Sequence, residues 1–253
     1  MAATTDGTEE HTAARARRRP PARRRGMGPI ARAVSVFGEL LITAGLVLGL
    51  FVVYSLWWTN VVADRAANKQ ADQVRDNWAH QGEDPGRPAE YDSKNGIGFL
   101  HVPAMTKSEI LVEKGTTSKI LNDGVAGYYT DPVKATLPTS GKKGNFSLAA
   151  HRDGHGAKFH NIHKLKDGDP IVFETKDKWY VYKVYAVLPE TSKYNVKTLA
   201  AIPKESGRTK AGHYITLTTC TPVYTSRYRY VVWGELERVE KVDAERTLPE
   251  ELR

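Results

Sequence analysis

Residues 40–58 read LLITAGLVLGLFVVYSLWW, nineteen consecutive positions without a charge. At about 1.5 Å per helical residue, such a run crosses a hydrocarbon layer of roughly 30 Å. Positions 34–39 extend it if Glu39 sits at headgroup depth. A secretory leader would carry a shorter apolar region and a small-residue cleavage site, and this run has neither. The expectation is therefore a retained transmembrane helix over 34–59. Trp57 and Trp58 at its far end suit an interfacial aromatic belt, and the arginines before it mark the near side as cytoplasmic. The chain reads as a single-pass cell-membrane protein with a cytoplasmic N-terminus and an extracellular domain after about residue 60.

The net charge of +8 is mostly that near side: eight Arg against Asp6, Glu9 and Glu10 put +5 into residues 1–33. The remaining +3 is spread over the other 220 residues without a basic cluster, so nucleic acid is not an expected partner. Residues 1–33 hold too little apolar surface to fold and read as a disordered tail. Its arginines suit anionic headgroups, which makes the lipid bilayer an expected partner. A length of 253 residues with 40% hydrophobic and 26% charged positions fits one domain plus accessories. It excludes a collagen-like, wholly disordered or polytopic membrane chain. A single cysteine excludes an intrachain disulfide and a Cys-based zinc cluster.

Beyond the anchor, Ala67, Ala71, Val74 and Trp78 recur on one face of a helix. Gly82, Pro85, Gly86 and Pro88 end it, so 60–90 reads as a juxtamembrane helical stalk and linker. From Tyr91 the pattern becomes short β-rich runs separated by turns, expected as strands at 97–102, 110–113, 145–150, 170–174, 179–188, 214–219 and 229–236. One brief helix is expected near 118–122. Seven or eight short strands at this spacing make 91–240 an all-β domain, a closed barrel or a sandwich, followed by a C-terminal tail at 241–253.

Cys220 ends the strand candidate YITLTT and precedes Pro222 and a loop. A lone thiol there is either a small buried hydrophobe or a reactive group. As a nucleophile it needs a base or a positive neighbour. Of eight histidines, His151 alone stands at a strand end as Cys220 does, after NFSLAA. Two strand ends of one barrel can bring side chains within hydrogen-bond reach. His155, His160 and His163 crowd the same region, but without a carboxylate ligand pattern they read as surface residues, and no metal is expected. Arg229 opens the last strand, where its guanidinium fork can point at the same mouth. Arg227 reads as solvated charge directed to the opposite side, leaving one arginine to face Cys220.

The run 216–220 (TLTTC), with Pro222 and then Arg229 nine residues after the cysteine, resembles the TLxTC signature of sortases. Residues 144–156 (GNFSLAAHRDGHG) resemble the catalytic histidine block of that family, and 99–103 with 124–129 resemble its earlier strands. The resemblance spans roughly 95–238 and is greatest to class E sortases of high-GC Gram-positive bacteria, although position 221 is Thr where many of these carry His. It implies an eight-stranded sortase-type closed barrel and a cysteine transpeptidase that needs no cofactor. By position, Cys220 would attack the Thr–Gly carbonyl of a C-terminal sorting signal of LAxTG or LPxTG type. His151 would serve as general acid and base, and Arg229 would hold the oxyanion. The implied partners are secreted proteins bearing that signal and a peptidoglycan-precursor amine, for cell-wall anchoring. The segment 189–213 falls where the family carries its signal-selecting loop. Two alternatives use the same domain: a membrane-anchored cysteine peptidase that gives the acyl group to water, and a catalytically silent binding module of the envelope.

Overall fold

The computed structural model describes residues 28–80 and 96–253. The expected disordered tail up to residue 27 and the linker residues 81–90 lie outside the described residues. Two compact units divide the chain, one ending at Leu50 and the other running from Phe51 to Arg253.

Helix α1, Pro29–His80, supplies the first unit and the opening of the second. Its apolar stretch has a mean hydropathy of 2.3 and buries none of its window in the protein, so by length and composition it qualifies as a membrane span. No break separates the expected anchor from the expected stalk, because no Gly or Pro interrupts residues 50–80.

The second unit is a closed barrel of eight strands: β1 Gly98–His101, β2 Ile110–Lys114, β3 Ala126–Tyr128, β4 Gly144–Ala149, β5 Pro170–Glu174, β6 Lys178–Ser192, β7 His213–Thr221 and β8 Tyr228–Lys241. A single turn of helix, α2 Ser118–Leu121, lies between β2 and β3. Around the barrel the order is β1-β2-β3-β4-β7-β8-β6-β5. Closure resolves the choice between barrel and sandwich and leaves no free edge. Strand β3 is absent from the strand list drawn from sequence pattern, because three residues with a central glycine carry no alternation. Gly127 is required there: a Cβ would lie 1.9 Å from the Gly115 carbonyl oxygen. Strand β6 runs four residues past the expected 188, so the long connection begins only after Ser192.

Alternate residues of each strand fill the barrel, among them Leu100, Val112, Phe146, Leu148, Phe173, Ile215, Leu217 and Val232. The apolar face expected in the juxtamembrane stalk is docked on the barrel. Ala67 and Val74, with Ala71 and Trp78, cover Phe99, Leu111 and Val125, and Trp78 meets Phe99 edge-on at 5.4 Å. The amphipathic period was legible, but its partner was the outer face of β1 and β2. The 241–253 segment also folds back: Val242 and Leu252 pack against Val172, Trp179 and Val181, and Glu251 pairs with Arg238 at 2.6 Å.

Candidate active site

Three neighbouring strands converge at one rim of the barrel. Strands β4 and β7 are parallel, with Ala149 opposite Thr218, so their C-terminal ends leave the barrel together. The pairing continues past the strand: the Ala150 amide donates to the Thr218 carbonyl at 3.4 Å, and the Thr219 hydroxyl donates to the Ala150 carbonyl at 2.7 Å. Carried on by one residue, this register sets His151 level with Cys220. Strand β8 is antiparallel to β7 and pairs Arg229 with Cys220. Cys220 and Arg229 are thus cross-strand neighbours, and His151 follows two residues after the end of β4 on the other side of β7.

Cys220 is half-buried and unpaired, neither of the extremes left open by its sequence context. It shares a strand face with Thr216 and Thr218, opposite the core-facing Ile215 and Leu217. His151 donates from Nε2 to Asn122 Oδ1 at 2.9 Å, and its ring lies 5.3 Å from that of His155. Burial, reinforced by the neighbouring His155 and opposed by Asp153, holds the His151 imidazole below its ordinary pKa of 6.5. The neutral base is therefore the resting form near neutral pH.

The Arg229 guanidinium donates to the Tyr228 and Ser226 carbonyls at 3.0 and 3.2 Å. Arg227 lies before β8, exposed, with its guanidinium 5.3 Å from the Tyr228 ring. Residues two apart on a strand share a face, so the expectation that alternation separates the two arginines is corrected. Arg227 differs because it belongs to the loop.

Beside Arg229 opens a cavity of about 260 Å³ lined by Tyr129, Thr218, Tyr194, Asn195, Val196 and Leu199, among others. Residues 193–212 supply one wall, and two anchors fix them: Asn145 donates to the Ala200 carbonyl and the Trp233 indole to the Thr198 carbonyl, both at 3.0 Å. The Tyr129 hydroxyl meets the Thr218 hydroxyl at 3.0 Å, and burial keeps the phenol protonated.

Sequence reasoning missed Asn122, Tyr129 and Arg152. Each reaches the site from another element or from beneath it, and although Tyr129 and Arg152 stood in segments with family likeness, neither was singled out there.

The Sortase domain family model matches residues 100–237 of this chain. The chain belongs to the sortase family. Sortase SrtE2 of Streptomyces coelicolor is 74% identical over 260 residues, with 100% of both chains covered. Sortase SrtE1 of the same organism is 45% identical over 223 residues, covering 87% of this chain and 61% of the relative. Among solved structures, sortase E1 from Streptomyces coelicolor with a tripeptide in its active site superposes with a TM-score of 0.59 at 44% identity, over 62% of this chain and 96% of that one. Sortase E from Streptomyces avermitilis gives 0.54 at 31% identity, over 62% and 97%. This sortase is thus a cysteine transpeptidase with class E relatives, and sortases act on proteins bearing sorting signals and on amine nucleophiles.

The sortase has one further cluster of metal-ligating side chains among the described residues: His101, Glu109 and Glu174. Its charge is already met from within. Arg75 binds both Glu174 and Glu109, Arg246 binds Glu174, and His101 Nε2 lies 2.8 Å from Glu174.

Proposed function

We propose that Cys220, His151 and Arg229 are the reacting group of this sortase, acting on a C-terminal sorting signal of LAxTG or LPxTG type. His151 takes the thiol proton of Cys220 as the sulfur attacks the Thr carbonyl carbon, and Arg229 stabilises the oxyanion. The Thr–Gly C–N bond breaks as His151 gives a proton to the departing Gly nitrogen, leaving a thioester on Cys220. His151 then takes a proton from an incoming peptidoglycan-precursor amine, whose nitrogen attacks the thioester and displaces the Cys220 sulfur, to which His151 returns the proton. The single observation that carries this reading is that Cys220 and Arg229 pair across β7 and β8 while His151 leaves the end of β4, the parallel neighbour of β7. The cavity beside Arg229 supplies a groove for the residues preceding the scissile bond, with the 193–212 connection as its selective wall. That a tripeptide occupies the active site of the sortase E1 structure supports a peptide-binding groove here. The apolar helix and the arginine-rich segment before it support single-pass anchoring with the barrel outside.

The test uses the full-length protein in detergent micelles, a quenched LAxTG peptide, and mass spectrometry with and without an added amine. The expected result is an LAxT adduct on Cys220 that amine resolves faster than water. An adduct resolved equally by water would make the protein a peptidase. A Cys220 that neither acylates nor alkylates would leave an inert module.

A further inference from the structure

His151 is followed by two charged residues, and both reach back to the segment that carries Cys220. Arg152 is only 7% exposed, and its Nη1 donates to the carbonyl of Cys220 itself at 3.3 Å. Its guanidinium lies 5.4 Å from the centre of the Tyr230 ring, and its Nε is buried without a hydrogen-bond partner. Among the described residues no carboxylate forms an ion pair with it. An unpaired buried cation is destabilising, so fold stability does not account for an arginine at this position. The next residue grips the loop that follows the cysteine. Asp153 Oδ2 accepts the backbone N–H of Tyr224 at 2.6 Å. Tyr224 has a φ of 64°, a left-handed conformation unfavourable to a bulky residue, so its loop is held in shape by what it contacts. Asp153 Oδ1 is buried and unpartnered, as an acceptor aimed by a single anchor would be.

We propose that Arg152 and Asp153 are positioning residues that staple the segment of His151 to Cys220 and to the loop that follows it, one on each side of the Thr221–Pro222 bend. Neither touches the reacting atoms. They hold the imidazole and the sulfur at the spacing that proton transfer and attack require, where a misplacement of about 1 Å costs on the order of a hundredfold in rate. The inference rests on the reading of His151 and Cys220 as the reacting pair.

The test measures kcat, KM and thermal midpoint on the full-length protein in micelles, with the LAxTG peptide and an amine acceptor. Arg152→Met keeps the stem volume and removes the buried charge, so it should leave the midpoint unchanged or raised. Its kcat should nevertheless fall by roughly tenfold or more, with KM within about twofold. Asp153→Ala should show the same split. Asp153→Asn, which loses the charge but keeps an acceptor oxygen, should return to within about threefold of the parent. Wild-type kcat in a folded Arg152→Met or Asp153→Ala protein would overturn the staple. So would a loss in Asp153→Asn equal to that in Asp153→Ala, or a fall in kcat that only tracks the midpoint. Should Arg152→Met fail to fold, the Asp153 pair decides. If the parent protein forms no adduct, the reacting pair itself is wrong; if the parent reacts and the variants match it, only the staple falls.

Discussion

Arg227 and Arg229 lie two positions apart, yet their surroundings separate them. Arg229 is the β8 partner of Cys220 and lines the cavity, whereas Arg227 stands exposed in the preceding loop. A donor contributes to catalysis only where charge develops, so Arg229→Ala should lower kcat by about a hundredfold or more and Arg227→Ala by less than about threefold. Cys220→Ala and His151→Ala should abolish turnover with the barrel retained. Steady-state kinetics with circular dichroism on the four variants checks this, and equal losses at 227 and 229 would remove Arg229 from the oxyanion role. The candidates themselves were legible at this scale, because a lone thiol, a histidine and an arginine at strand ends are few. Asn122 was not legible: an asparagine closing a one-turn helix looks like any helix end until the fold turns it toward His151.

At the scale of elements, the second half of α1 is part of the barrel domain. It covers Phe99, Leu111 and Val125, which are 0%, 3% and 1% exposed. It also reaches the loops that flank the site. Asn60 accepts the Gly156 amide at 2.9 Å, Asp64 pairs with Lys158 at 2.8 Å, and Ala63 backs Gly124 so closely that a Cβ there would lie 2.9 Å from its carbonyl oxygen. Uncovering three large apolar side chains forfeits roughly 1.5–3 kcal/mol each. A chain beginning at residue 81 should therefore unfold at least about 10 °C below one beginning at residue 60. Differential scanning calorimetry of the two fragments decides it, and coincident transitions would mean that the helix contact is dispensable. The period of 67, 71, 74 and 78 announced an amphipathic helix, but a period names a face and not what covers it.

For the whole molecule, Glu174 is the point where remote parts of the chain meet. Its carboxylate on β5 is 1% exposed and binds Arg75 of α1, His101 of β1 and Arg246 of the C-terminal segment. Burial alone would raise its pKa, but the hydrogen bonds and charges of these partners outweigh it and hold the group down from 4.5 to about 2. The unfolded chain therefore binds this proton first, so the stabilisation is complete above 4.5 and is lost as pH falls through about 2. His151 has the same sign nearer neutrality, losing its contribution as pH falls below 6.5. Glu113 has the opposite sign. Burial and Asp123 raise it to about 7, so its contribution is lost as pH rises from 4.5 through that value. Glu174→Gln should cost about 3 kcal/mol at neutral pH, a difference that narrows once pH falls below 4.5. Urea unfolding at several pH values measures this, and a pH-independent difference would show that shape and not charge matters at the junction.

What the sequence determined by itself was whatever rests on local order: the apolar span, the strand periods, the helix face, and the short list of groups able to do chemistry. These depend on neighbours within a few residues, and so they survive without knowledge of the fold. The tertiary structure alone decided that β4 and β7 run parallel side by side, that a three-residue strand closes the barrel, and that the presumed stalk and tail both dock on it. It also decided that a buried arginine stands behind Cys220. Each of these joins residues tens of positions apart, and their pairing is settled by the burial and hydrogen bonding of the closed barrel.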